Sequence, residues 1–158
     1  MGGVILYDGV CALCAFVVQF VVRRDSARFF QFAALQSAVA QPLLARHGIS
    51  EAEALQSFVV LTPEGTALRR SDAALYIGSQ LCFPLPALAY LGGFLPRTLR
   101  DWVYNRVAAS RYAWFGKTSG PMAATQDTLS RFLDREEVYE GLEPEQRAEL
   151  EREGKKGR

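Results

Sequence analysis

The chain has 158 residues, 49% of them hydrophobic and 22% charged, which excludes a disordered protein and allows one domain with a real core. A formal net charge of +1 gives no field to gather nucleic acid, so no nucleic-acid partner is expected. Three cysteines are too few for a disulfide scaffold, and with no basic stretch leading an apolar signal core the cytoplasm is the expected compartment.

Residues 3–7 read as a buried strand, a short apolar run ended by Asp8-Gly9. From Ala12 to Arg24, apolar residues recur at helical spacing, and Arg23-Arg24 suit a helix C-terminus. Arg28–Leu35 reads as a second strand. Ser37 is the expected cap of a helix running to His47, with Gly48 as its stop. Ser57–Leu61 and Thr66–Arg69 flank the turn Thr62-Pro63-Glu64-Gly65 as a hairpin, and Ser71 or Asp72 caps the next helix. Leu81–Leu95 is too short and too broken by Pro84, Pro86 and Gly92-Gly93 to span a membrane, so buried helices are expected there and Cys82 reads as an inert buried thiol. A further helix follows Pro96 and runs toward Arg111-Tyr-Ala-Trp-Phe-Gly116, whose aromatics are expected to pack the extension onto the domain. Residues 117–124 read as a linker, and the charged stretch from Asp134 to Arg158 as a frayed or flexible tail. The order β-α-β-α-β-β-α is that of an α/β, thioredoxin-like domain over 1–116, with a helical extension from about residue 83.

The chemistry is concentrated in Cys11-Ala-Leu-Cys14, at the junction of the first strand and helix. A thiolate, not a thiol, attacks a disulfide. Cys11 would sit at the helix N-terminus, where unpaired N–H groups and the dipole favour an anion. Cys14 lies one turn further in and can donate its S–H to Cys11. Cys11 therefore reads as the nucleophile and Cys14 as the resolving thiol. Asp8, three residues before Cys11, either takes a proton from Cys14 or serves as a turn residue. The rival for the pair is half of a metal site, but only Cys82 and His47 offer further soft ligands, at unsuitable spacing, so no metal is expected. A second rival is a membrane-surface protein using residues 81–95.

Tyr7-Asp-Gly-Val-Cys-Ala-Leu-Cys14 resembles the signature of the DCC family of thiol-disulfide oxidoreductases (DUF393), named for the Asp, Cys and Cys found here as Asp8, Cys11 and Cys14. Phe32–Ser37, Arg70–Leu75 and Arg111–Gly116 are similar to further blocks of that family, in the same order. The resemblance implies a thioredoxin-like fold and protein-disulfide reductase activity on a disulfide-containing protein or small thiol substrate. It implies no bound cofactor, but an external reductant such as glutathione or a thioredoxin system. Where thioredoxin-like enzymes place a cis-proline against the substrate, this chain has Ser57 or a neighbour. Ser71-Asp72 resembles the Ser-Asp with which glutaredoxins hold glutathione, which would make Ser57, Ser71 and Asp72 substrate-binding residues.

Overall fold

Four short apolar runs form the strands β1 (Val4–Tyr7), β2 (Gln31–Ala34), β3 (Val59–Leu61) and β4 (Ala67–Arg69). The computed structural model describes residues 2–117 and 125–156. The sheet order is β2-β1-β3-β4, with β1 and β2 parallel and the other pairs antiparallel. Parallel pairing of β1 and β2 is what the intervening helix α1 (Ala12–Arg24) requires of a crossover. The helices α2 (Ala40–Arg46) and α3 (Glu51–Ala54) precede the hairpin, and α4 (Arg70–Gln80), α5 (Leu85–Gly93) and α6 (Arg97–Phe115) follow it. This is the thioredoxin-like α/β architecture with a C-terminal helical extension.

Alternation along the strands splits the core between the two faces of the sheet. Ile5, Tyr7, Phe32 and Val60 face α1 and α4, where Val18, Val21, Ala73 and Ile77 meet them. Leu6, Ala33, Val59 and Leu61 face α2 and α3, against Ala40, Leu44 and Ala54.

Several expectations fail for physical reasons. Ser37 does not cap α2; its hydroxyl donates to the Ala34 carbonyl at 2.7 Å, and the helix begins at Ala40. Nor do Ser71 and Asp72 cap α4. Both lie inside its first turn, after the cap residue Arg69. The stretch 81–95 is not buried: α5 has no buried residue, and Phe83 and Phe94 are 83% and 72% exposed. Its small-residue side presses onto α4 so closely that a Cβ on Gly92 would lie 2.9 Å from Leu75, and Tyr90 and Leu91 on its other positions are exposed. Cys82, in the turn before α5, is exposed for the same reason.

The charged C-terminal stretch is folded where it is described. Helices α7 (Gln126–Leu129), α8 (Arg135–Gly141) and α9 (Pro144–Lys156) bury Leu129, Val138, Leu142 and Leu150 in the main core. Residues 131–133 run along the outer edge of β2, with Phe32 N–H bonded to Arg131 O at 2.9 Å and Leu133 N–H to Phe32 O at 2.8 Å. The Arg131 guanidinium is buried against the Asp25 carboxylate, and its Nε donates to Phe30 O at 3.2 Å. Sparse apolar residues at the right spacing suffice once a neighbouring sheet edge offers hydrogen bonds. The expected linker at residues 118–124 lies outside the described residues. Among the described residues no helix is long and apolar enough to cross a membrane.

Candidate active site: a dithiol under an arginine

β1 and β2 end side by side, and the site is built on their carboxyl ends, where open α/β sheets place ligands. Asp8 follows β1 and Gln36 follows β2. Asp8 Oδ1 accepts from Val10 N at 3.1 Å and from Gln36 Nε2 at 2.9 Å, while Gln36 Oε1 accepts from Gly9 N at 3.0 Å. These bonds shape the turn that delivers Cys11 to the N-cap of α1. The Cys11 sulfur accepts the Cys14 backbone N–H at 3.4 Å. That bond uses one of the unpaired N–H groups of the first turn.

Cys14 lies one turn on, and burial pushes its thiol up to about 12, helped by the hydrogen bond and charge of Cys11 and opposed by Arg111. All three cysteines are free. Burial and the neighbouring Cys11 thus favour the protonated form of Cys14.

Arg111 and Tyr112, at the end of α6, complete the constellation. Arg111 Nη1 stands 3.9 Å from Cys14 Sγ, and Nη2 donates to Asp8 Oδ2 at 3.2 Å and to Leu55 O at 2.5 Å. The Tyr112 hydroxyl donates to the same Asp8 oxygen. Burial works against the Arg111 charge, but Cys14, Tyr112, Cys11 and Asp8 together hold its pKa above the ordinary value. The expectation that this cluster only packs the extension is therefore corrected. Trp114 and Phe115 are exposed, whereas Arg111 is buried and Tyr112 reaches the site.

Both thiols are buried, with Cys11 wholly enclosed. After α6, Gly116 adopts φ 74°, a conformation that favours glycine, and the chain turns back over the site. Lys117 pairs with Cys11 in an isolated antiparallel bridge, and Gly116 O accepts from Ala12 N at 3.4 Å. Cys14 has an open side. It lines a cavity of about 450 Å³ between α1, α4 and α6, to which Cys11 does not contribute. Cys14, Tyr104 and Arg111 are the only side chains other than hydrocarbons in that lining. Tyr104 is fixed by accepting the Phe58 N–H at 3.0 Å.

The structure brings Asp8, Cys11 and Cys14 together. The side chains of the other anticipated residues make bonds of their own. Ser57 is buried before β3, with its hydroxyl donating to Phe58 O at 3.2 Å. The Ser71 hydroxyl bonds Asp101, whose carboxyl it helps hold below the usual range, and Asp72 pairs with Arg97 at 2.8 Å and Arg100 at 3.3 Å. Sequence reasoning passed over Gln36 and Tyr104 as well as the role of Arg111. The available signals were that Gln36 lies within, and Arg111-Tyr112 opens, a block already singled out. Among the described residues, no three His, Cys, Asp or Glu side chains gather as a metal-holding group.

Comparison with known proteins agrees with this chemistry. A 37% identical relative over 130 residues, covering 82% of this chain and 93% of its own length, is the uncharacterized protein YuxK of Bacillus subtilis. Another, 39% identical over 115 residues, is a chloroplastic DCC family protein of Arabidopsis thaliana, with 73% of this chain and 66% of that protein covered. No solved structure matches the chain. The model of the DCC1-like thiol-disulfide oxidoreductases matches residues 5–117, and the chain belongs to that family.

Proposed function

We propose that the protein reduces disulfides by thiol-disulfide exchange, with Cys11 as nucleophile and Cys14 as resolving thiol. The observation that carries this reading is the asymmetry of the pair: Cys11 Sγ accepts an N–H at the start of α1, while Cys14 is held protonated beside it. The Cys11 thiolate bonds to one substrate sulfur and expels the other, which leaves as a thiol after taking a proton. Cys14 then loses its proton, bonds to Cys11, and releases the second substrate thiol. Asp8 and Arg111 flank Cys14. Arg111 steadies the negative charge that develops on the Cys14 sulfur, and Asp8 holds the guanidinium in place. An external thiol, glutathione or a thioredoxin system, returns the resulting disulfide to the dithiol. A reducing compartment such as the cytoplasm would keep the dithiol ready to act.

Trapping tests this reading. Cys14→Ser should accumulate mixed disulfides through Cys11, detected by mass spectrometry, and Cys11→Ser should accumulate none. The reverse pattern, or no adduct in either variant, refutes the assignment.

One observation favours a second role, membrane-surface contact. Tyr90, Leu91 and Phe94 on and beside α5, and Trp102 on α6, are all exposed. Flotation with liposomes at physiological salt decides it; protein that stays at the bottom rules it out.

A further inference from the structure

The cavity beside Cys14 is not needed for the chemistry of the dithiol, yet it borders the dithiol through Cys14. Its walls are hydrocarbon: Val17 and Phe20 from α1, Ala74 and Ile77 from α4, and Ala108 from α6 among them. Its volume of about 450 Å³ is that of a small-molecule site. Its polar side chains are Cys14, Tyr104 and Arg111, and Arg111 Nη1 stands 3.9 Å from Cys14 Sγ.

Two other features restrict what can reach the sulfurs. An extended peptide would pair its main chain beside Cys11, but that place is held by the protein's own Gly116 and Lys117. A glutathione-like anion would need Ser71 and Asp72, but Asp101 takes the hydroxyl and the carboxylate of Asp72 faces Arg97 and Arg100. Neither feature offers a polypeptide or an anionic thiol a dedicated binding surface, whereas the cavity offers one to hydrocarbon.

We propose that the substrate is an uncharged, low-molecular-weight disulfide with apolar arms, and that one arm occupies this cavity and brings the disulfide past Cys14 to the Cys11 sulfur that attacks it. The inference rests on the exchange reaction above and names its substrate class. The balance is unchanged. The two protein thiols become one disulfide, and the substrate disulfide becomes two thiols, which receive the two protons and two electrons the protein gives up. The cavity contributes by burying hydrocarbon, so recognition tracks the apolar area of the arm rather than its charge.

Dipropyl disulfide, bis(hydroxyethyl) disulfide and oxidised glutathione make the comparison, because all three release alkyl thiols and differ chiefly in polarity. Each is mixed with pre-reduced protein, the reaction is quenched with an alkylating agent, and the loss of the dithiol is followed by mass spectrometry. Rates are divided by those of a free model thiol. Dipropyl disulfide should oxidise Cys11 and Cys14 at least about tenfold faster than either polar disulfide, a preference of the size hydrocarbon pockets deliver. Ala108→Trp fills the cavity from α6 and should bring the dipropyl-to-hydroxyethyl ratio close to one. Ala74→Trp fills it from α4 and should do the same, which covers the case that one variant does not fold. Equal or faster oxidation by a polar disulfide, or a ratio untouched in a folded tryptophan variant, overturns the substrate class and leaves the exchange reaction standing. Failure of all three disulfides to oxidise the dithiol overturns both.

Discussion

Arg111 and Asp8, 103 positions apart in the chain, form a buried ion pair at 3.2 Å directly beside Cys14. The last helix before Gly116 is thereby fastened to the turn that presents Cys11. Stability and chemistry share one contact.

Removing the cation should therefore cost folding free energy. Arg111→Met leaves the Asp8 carboxylate buried without its partner, a loss of about 3–5 kcal/mol. Asp8→Asn alone leaves the guanidinium short of an anion, and the double variant should recover part of the combined loss. Urea unfolding of the two single variants and the double variant gives the coupling; additive losses would show that the pair is not a unit.

Alkaline pH should destabilise the protein through Cys14. Its folded pKa, about 12, stands above the ordinary 9.0, so the folded state keeps a proton that the unfolded chain has lost. Stability from this group is complete below pH 9.0 and falls as pH rises toward about 12. Tyr7 and Tyr104, both raised first by burial, act in the same direction above the ordinary phenol value of 10.0. Urea midpoints measured across this range should fall less steeply in Cys14→Ser than in the parent, with the difference opening first between the thiol and phenol values.

The C-terminal helices should prove integral to the domain. Phe132 is buried against Phe32 and Tyr7, at ring separations of 5.5 and 6.2 Å. Phe132→Ala should cost about 3–5 kcal/mol by opening a cavity in the main core. Removal of residues 125–158 should cost more than that and expose the apolar face of α1. Thermal melts of both proteins check this, and a truncated chain as stable as the parent would contradict it.

The cover over Cys11 depends on Gly116. At φ 74° and ψ −171° a β-branched residue is strained by about 1–3 kcal/mol. Gly116→Val should displace the Lys117 pairing and raise the rate at which iodoacetamide labels Cys11, read by peptide mass mapping. An unchanged labelling rate would mean that the cover does not depend on that turn.

Much of the fold was legible because its signals are local. The run Val4–Tyr7, the hairpin turn at Pro63 and the spacing of Cys11 and Cys14 each declare themselves within a few residues. That Cys11 and Cys14 would lie side by side could be read for the same reason. Arg111 could not, because its role comes from Asp8 across the whole domain. Ser71 and Asp72 looked like caps or ligands, since nothing near them in sequence announces that Asp101, Arg97 and Arg100 claim them. The tail read as solvated because charge dominates its composition, while Leu142 and Leu150 fold it inward by position rather than number. Segment 81–95 erred the other way: apolar composition does not say whether a neighbour exists to bury it.

The enclosure of Cys11 has a consequence for survival under oxidative stress. Hydrogen peroxide converts open thiolates to sulfenic acid and then, irreversibly, to sulfinic acid. A Cys11 sulfur with no exposed surface beside the Lys117 pairing meets peroxide only when that enclosure opens, so whatever opening admits a disulfide also sets how fast the sulfur is oxidised.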